Sequence, residues 1–188
     1  MSSSRHHVDR RQEGHKLPTR ASFSELVQAL GRLRAEAVVL AEAAYLGIQR
    51  HSYRGYWKFR TKLGEHAALL TVIRSRAQQI MALEGGAARA GLHAAEREEL
   101  EVLVLAIKSS LRFGFALSAN PTLPLGARET FVHELQTLGE AGRVLEAAPR
   151  ELVPEGLLDD LATARMILEE IIEKSPPLAD FGAQSSVA

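Results

Sequence analysis

Five runs of apolar residues, spaced alternately by fours and threes, constrain this chain more than any other feature. The first is Leu26, Leu30, Leu33, Ala37, Leu40, Ala44 and Gly47, and the second is Phe59, Leu63, His66, Leu70, Ile73, Ala77 and Ile80. A third runs Leu100, Val104, Ile107, Leu111 and Gly114, a fourth Phe131, Leu135, Leu138, Gly142 and Leu145, and the last Leu157, Leu161, Ala164, Leu168 and Ile171. An α-helix comes back to the same face about every 3.6 residues. Each run is therefore one greasy flank of a rod, and that flank has to be buried against another rod. No segment alternates with the period of a strand. Short links between long helices make neighbours antiparallel, so the expected fold is all-α: an antiparallel up-down four-helix bundle with an additional C-terminal helix. Ala37, Ala44, Gly47, Ala77, Gly114 and Gly142 are small enough on these flanks to let backbones approach closely.

Punctuation agrees with the periodicity. Ser22 and Glu25 have the spacing of a capping box, in which each side chain satisfies a backbone donor of the other. Gly55 is expected to break the first pair of helices and Gly85-Gly86 to end the second helix. Asn120, Pro121 and Pro124 close the third and Pro149 the fourth; Pro154 suits a first helical turn, and Pro176-Pro177 stop the fifth. The organisation read from this is a flexible basic arm over 1–21, a helical domain over 22–175 and a flexible tail over 176–188. The arm, rich in Ser, His and Arg, has too little apolar surface to offset the entropy of ordering.

Composition narrows the chemistry. With 188 residues and 46% hydrophobic content the chain can bury one core. It has no cysteine, so disulfides, thiolate metal sites and cysteine nucleophiles are excluded, and a reducing cytoplasm is the expected location. The most apolar stretch, AVVLAEAAYLGI at 37–48, contains Glu42 and falls short of the roughly 20 residues of a membrane span. The N-terminus lacks the apolar segment of a secretory signal. Net charge is zero yet unevenly distributed: residues 1–62 hold 12 Lys and Arg against 5 Asp and Glu, so the balancing acids lie in the remainder. Such asymmetry favours an acidic partner at one end or head-to-tail contact between copies.

The sequence carries no complete catalytic pattern. None of the seven histidines follows a Glu by three positions, as a bundle di-iron site requires. His133-Glu134 opens a zinc-protease pattern, but Thr137 stands at the second ligand position. His93 and Glu96 share a face and are placed in the first turn of the third helix, where Glu complements the macrodipole. No phosphate-cradling glycine motif occurs. His66 lies on a core flank beside Glu65; the alternatives are a core histidine satisfied by one hydrogen bond and a general base or ligand. The expectation is a protein without catalytic, cofactor or metal residues.

One stretch stands apart. RHSYRGYWKFRTKLGEH, 50–66, holds Tyr53, Tyr56, Trp57 and Phe59, four of the ten aromatic residues, threaded with Arg50, Arg54, Lys58, Arg60 and Lys62. No acid lies between Glu42 and Glu65. Aromatics among cations can stack on bases while the charges hold phosphates. They can equally plug the end of a bundle, with Lys and Arg stems lying over them. Phe59 falls on the second flank and belongs to the core; Arg50, Tyr53, Arg54, Tyr56, Trp57, Lys58, Arg60 and Lys62 remain as the candidate contact residues.

Leu63-Gly64 after this turn, the apolar helix ending in Leu111-Arg112 and the Gly142-Arg143-x-Leu145 that closes the fourth helix carry a resemblance over about 56–146. There the chain resembles the four-helix-bundle family that includes retroelement accessory variability proteins and proteins of ribosomal RNA intervening sequences. The resemblance implies a ring-like homo-oligomer that binds nucleic acid and a reverse transcriptase. The chain differs from that family in having Arg60 where a Pro is usual, in its neutral charge and in its acidic fifth helix, where 151–174 hold seven acids against two bases. The expected function is a non-catalytic binding or assembly protein, self-associating and docking a protein partner through the basic-aromatic end and the acidic helix. The alternative is an RNA-binding accessory protein that uses the same end.

Overall fold

The computed structural model describes residues 22–82, 85–119, 123 and 126–175. The expected arm over 1–21 and tail over 176–188 lie outside the described residues, as do Asn120, Pro121, Pro124, Pro176 and Pro177. Five α-helices follow one another: α1, Phe23–Ile48; α2, Arg54–Ile80; α3, Gly85–Ser118; α4, Ala127–Ala147; and α5, Leu157–Lys174, with a 3-10 turn at Arg150–Leu152 ahead of α5. Among the described residues there is no strand, and no helix is long and apolar enough to cross a membrane.

Local chemistry explains most boundaries. The Ser22 hydroxyl accepts from the Glu25 amide at 3.2 Å and the Glu25 carboxylate accepts from the Ser22 amide, which closes the capping box. At the other end of α1 the chain reverses through a Schellman motif: Ser52 N–H donates to Gly47 O at 2.9 Å and His51 N–H to Ile48 O at 3.0 Å. His51 takes the left-handed conformation, φ 59°, where glycine is usual. Three expectations shift. Gly55 lies inside the first turn of α2 and the break falls one turn earlier; Gly85 and Gly86 begin α3 instead of ending α2; and Pro154 lies in the turn before α5. His93 and Glu96, paired at 3.3 Å, consequently sit in the third and fourth turns of α3, beyond the reach of its N-terminal dipole.

The helices run up and down. Along α1, Glu36 meets Lys62 at 2.9 Å while Ala44 meets Gly55, and along α3, Glu99 meets Arg74 at 2.6 Å while Phe113 meets Phe59, so α2 runs against both α1 and α3; Arg34 ties α1 to Glu98 of α3 at 2.9 Å. Gly55 packs on α1 so closely that a β-carbon there would lie 2.9 Å from Ala44 Cα. In the same way Gly114 admits the Ile167 side chain of α5. The fold class expected from the periodicity holds, and α5 proves integral: it packs on both α3 and α4, which touch each other only sparsely. The larger core cluster draws on all five helices, with Phe59, Ile107, Phe113, Phe131, Leu138 and Leu161 inside it. A smaller one, Leu30, Leu70, Ile73 and Ala95, joins only α1, α2 and α3. The α4–α5 pair therefore covers one end of a longer three-helix unit. Between α2 and α4, above α3, a groove is left.

Candidate functional site

The turn after α1 sets the basic-aromatic stretch at the covered end of the molecule. Helical spacing from Tyr53 to Thr61 then divides its side chains between two sides of α2. Tyr56 and Phe59, one turn apart, point inward; Tyr56 is buried and meets Phe113 edge-on at 5.8 Å, and Phe59 meets the same ring at 5.7 Å. Trp57 stays 53% exposed, with its ring edge-on to Tyr56 at 5.7 Å, so a half-open indole rests on a buried aromatic stack. Tyr53 is half-buried, and burial raises its phenol pKa.

Tyr53, Arg54, Trp57, Lys58 and Lys62 line one open hollow of about 730 Å³ against Leu40 of α1. Arg50, Arg54 and Lys58 are exposed, and among the described residues no acid pairs with Arg54 or Lys58. Lys62 is different, since its ammonium bridges Glu36 at 2.9 Å and Glu65 at 2.6 Å, and these bonds raise its pKa. Glu36 and Glu42 face solvent as expected, Glu42 held by Arg112, whose guanidinium also lies 4.2 Å from the centre of the Tyr45 ring. Of the eight candidate residues, then, five share a hollow, Arg50 sits on the turn beside it, and Tyr56 and Arg60 lie beneath.

Arg60 and Tyr56 converge on Glu134, which the sequence brings up only in an incomplete zinc-protease pattern. Glu134 is 3% exposed. Its carboxylate accepts from the Tyr56 hydroxyl at 3.0 Å and the Ser110 hydroxyl at 2.7 Å, and pairs with Arg60 Nη1 at 2.8 Å. Arg60 Nη2 donates in addition to Thr137 Oγ1 at 3.3 Å. A carboxylate so enclosed is tolerated only because three donors replace its water. Burial, followed by the nearby Glu134 charge, pushes the Tyr56 phenol far above its ordinary range. The signal was present in the sequence: Glu134 lies three residues after Phe131 and four before Leu138, on the flank itself. Arg60 thus serves as the counter-ion of Glu134 at the edge of the groove.

The cluster forms one side of the groove between α2 and α4, a cavity of about 500 Å³ floored by α3. His66, 3% exposed, stands in its wall, and its Nε2 has no hydrogen-bond partner. The expected burial of His66 is found. Desolvation lowers its pKa, opposed by Glu98 and assisted by Arg34. Among the described residues no three acids or histidines gather in a way that could hold a metal ion. No family model matches the chain, and neither a curated protein nor a solved structure matches it. The reading of its surfaces therefore rests on their geometry.

Proposed function

We propose that this is a non-catalytic binding and assembly protein of the cytoplasm whose basic-aromatic hollow docks an acidic surface. The observation that carries the reading is the state of its cations. Arg60 and Lys62 are neutralised within the fold, whereas Arg54 and Lys58 flank a half-exposed Trp57 and, among the described residues, are paired with no acid; Glu65, in the same hollow, is held by Lys62. Exposed aromatics next to unpaired cations are the composition of a contact hot spot, and the charges set orientation and on-rate more than affinity. A second copy offers a fitting partner: α5 presents Asp159, Glu169, Glu170 and Glu173 to solvent. A contact between two different faces of the same chain is head-to-tail and either closes into a ring or extends into a filament. The ring is the form that the resemblance to retroelement accessory proteins implies.

Light scattering on a size-exclusion column tests it. At low salt the mass should exceed one chain, and it should fall toward one chain at high salt, because exposed charges are screened. Arg54→Glu with Lys58→Glu should give the single-chain mass at low salt with unchanged helicity. A single chain under all conditions would remove self-association. Nucleic acid co-eluting with the wild type and lost from the double variant would assign the hollow to nucleic acid instead, with Trp57 as its stacking platform.

A further inference from the structure

We infer that the outward face of α5 of a second copy seats in the hollow between α1 and α2, with Met166 against Trp57 and with Glu169 and Glu173 on Lys58 and Arg54. The inference rests on the reading of the hollow as a docking surface and names what docks there. The spacing of the free charges is its first support. Arg54 and Lys58 stand four residues apart on α2, and among the described residues no acid pairs with either; the third cation of the hollow, Lys62, is held by Glu36 and Glu65. On α5, Glu169 and Glu173 are exposed, four residues apart and, among the described residues, paired with no base, whereas Glu170 is held by Lys174. Four residues rise about 6 Å along a helix. Two free acids therefore repeat the separation of two free cations, and an antiparallel approach brings Glu173 to Arg54 and Glu169 to Lys58 in one register.

Apolar surface lies in the matching place. Leu158 and Met166 are the large apolar side chains that α5 leaves exposed, Met166 at 62%, and with Ala162 they form a line on the side away from the buried Leu161, Ala164 and Leu168. In the same antiparallel register Met166, three residues before Glu169, falls beside Thr61, three residues after Lys58, in the hollow that Trp57 and Leu40 wall on either side. A thioether at the edge of an aromatic ring is a favourable contact, and its unbranched chain fits an irregular hollow. A strand of nucleic acid fits less well. Glu65 lines the hollow and Glu36 is joined to Lys62 beside it, so a continuous row of phosphates would meet two carboxylates as well as the two free cations. The α5 face instead sets the uncharged Ala162 opposite Glu65. Because the hollow and the α5 face are different parts of one chain, the contact is head-to-tail.

Exchanging charge between the two surfaces tests the contact, with light scattering on a size-exclusion column at low salt as the readout. Full-length Arg54→Glu/Lys58→Glu and Glu169→Lys/Glu173→Lys should each give the single-chain mass. An equimolar mixture of the two should regain a mass above one chain, because each reversed surface then meets the reversed surface of the other variant. Met166→Ala, at an exposed position, should raise the concentration of half-assembly about tenfold. Arg54 lies in the first turn of α2 and Glu173 in the last turn of α5, where the reversed charges suit the macrodipole, so helicity by circular dichroism should be unchanged. An α5 variant that keeps the wild-type mass while the hollow variant loses it would overturn this inference and leave the docking role of the hollow intact; so would a mixture that stays single-chain. A hollow variant that keeps the wild-type mass, or a wild type of single-chain mass throughout, would remove self-association through the hollow and this inference with it.

Discussion

Removing the Arg60 guanidinium should cost this fold far more than a surface arginine could. In Arg60→Met the stem that packs over the groove is kept and the charge is lost, so the Glu134 carboxylate remains enclosed with only Tyr56 and Ser110 to solvate it. Breaking one side of a buried ion pair typically costs about 3–5 kcal/mol, because the remaining charge has no counter-ion. The Arg60 side chain is 16% exposed against 4% for Glu134, and two hydroxyl donors persist, which places the expected loss at the lower end, about 3 kcal/mol. For a chain of this size that corresponds to a fall in Tm of roughly 6–12 °C. Glu134→Gln should cost less, about 1–2 kcal/mol, since the amide oxygen still accepts a hydrogen bond and Arg60 can turn toward water in the groove. Combining Arg60→Met and Glu134→Met with Tyr56→Phe and Ser110→Ala removes every polar member at once and should recover most of the loss. Urea unfolding followed by far-ultraviolet circular dichroism, compared at equal m-values, measures all three. A loss below about 1 kcal/mol for Arg60→Met, or a quadruple variant no better than the single one, would refute the account of Glu134 as a charge held by its partners.

Two further expectations follow from close packing and from burial. In Gly55→Ala the new methyl carbon would lie 2.9 Å from Ala44 Cα and 3.1 Å from Ala43 O, both backbone atoms, so α1 and α2 must part; a loss of about 1–3 kcal/mol is expected. Gly64→Ala, with nothing within 4 Å, should instead raise stability by up to about 1 kcal/mol through helix propensity, and urea titration of both variants tests the contrast. Because burial depresses the His66 pKa, the unfolded chain takes up a proton that the folded chain resists once the pH falls below about 6.5. Stability should be full above that pH and decline on acidification, and His66→Phe should flatten this part of the profile; an unchanged slope would show that His66 is protonated freely in the folded state.

How far the sequence reaches is clear from individual residues. Phe59, Ile73, Ala77, Leu138, Leu161 and Leu168 were readable as core because each sits on an apolar flank of helical period, and all are buried. Glu36 and Glu42 were readable as exposed because they lie off it. In the basic-aromatic stretch, composition marked eight residues as one neighbourhood and could not sort them. Arg54, Lys58, Arg60 and Lys62 are alike as letters; two are solvent-facing, one is the half-buried counter-ion of a buried carboxylate and one bridges two acids. The sorting depends on residues far away in the chain. Glu134 is 74 positions beyond Arg60 in number and is brought beside it only when α4 folds back along α2.

Periodicity and capping residues thus determined the all-α class, the number of helices and the flanks that must be buried, because those properties act within a few turns of one helix. Tertiary structure alone decided that α5 completes the core, that Arg60 and Tyr56 serve a buried carboxylate, and that a groove opens between α2 and α4. These are outcomes of which flanks meet, and a pairing of surfaces from distant segments leaves no mark in the spacing of either one.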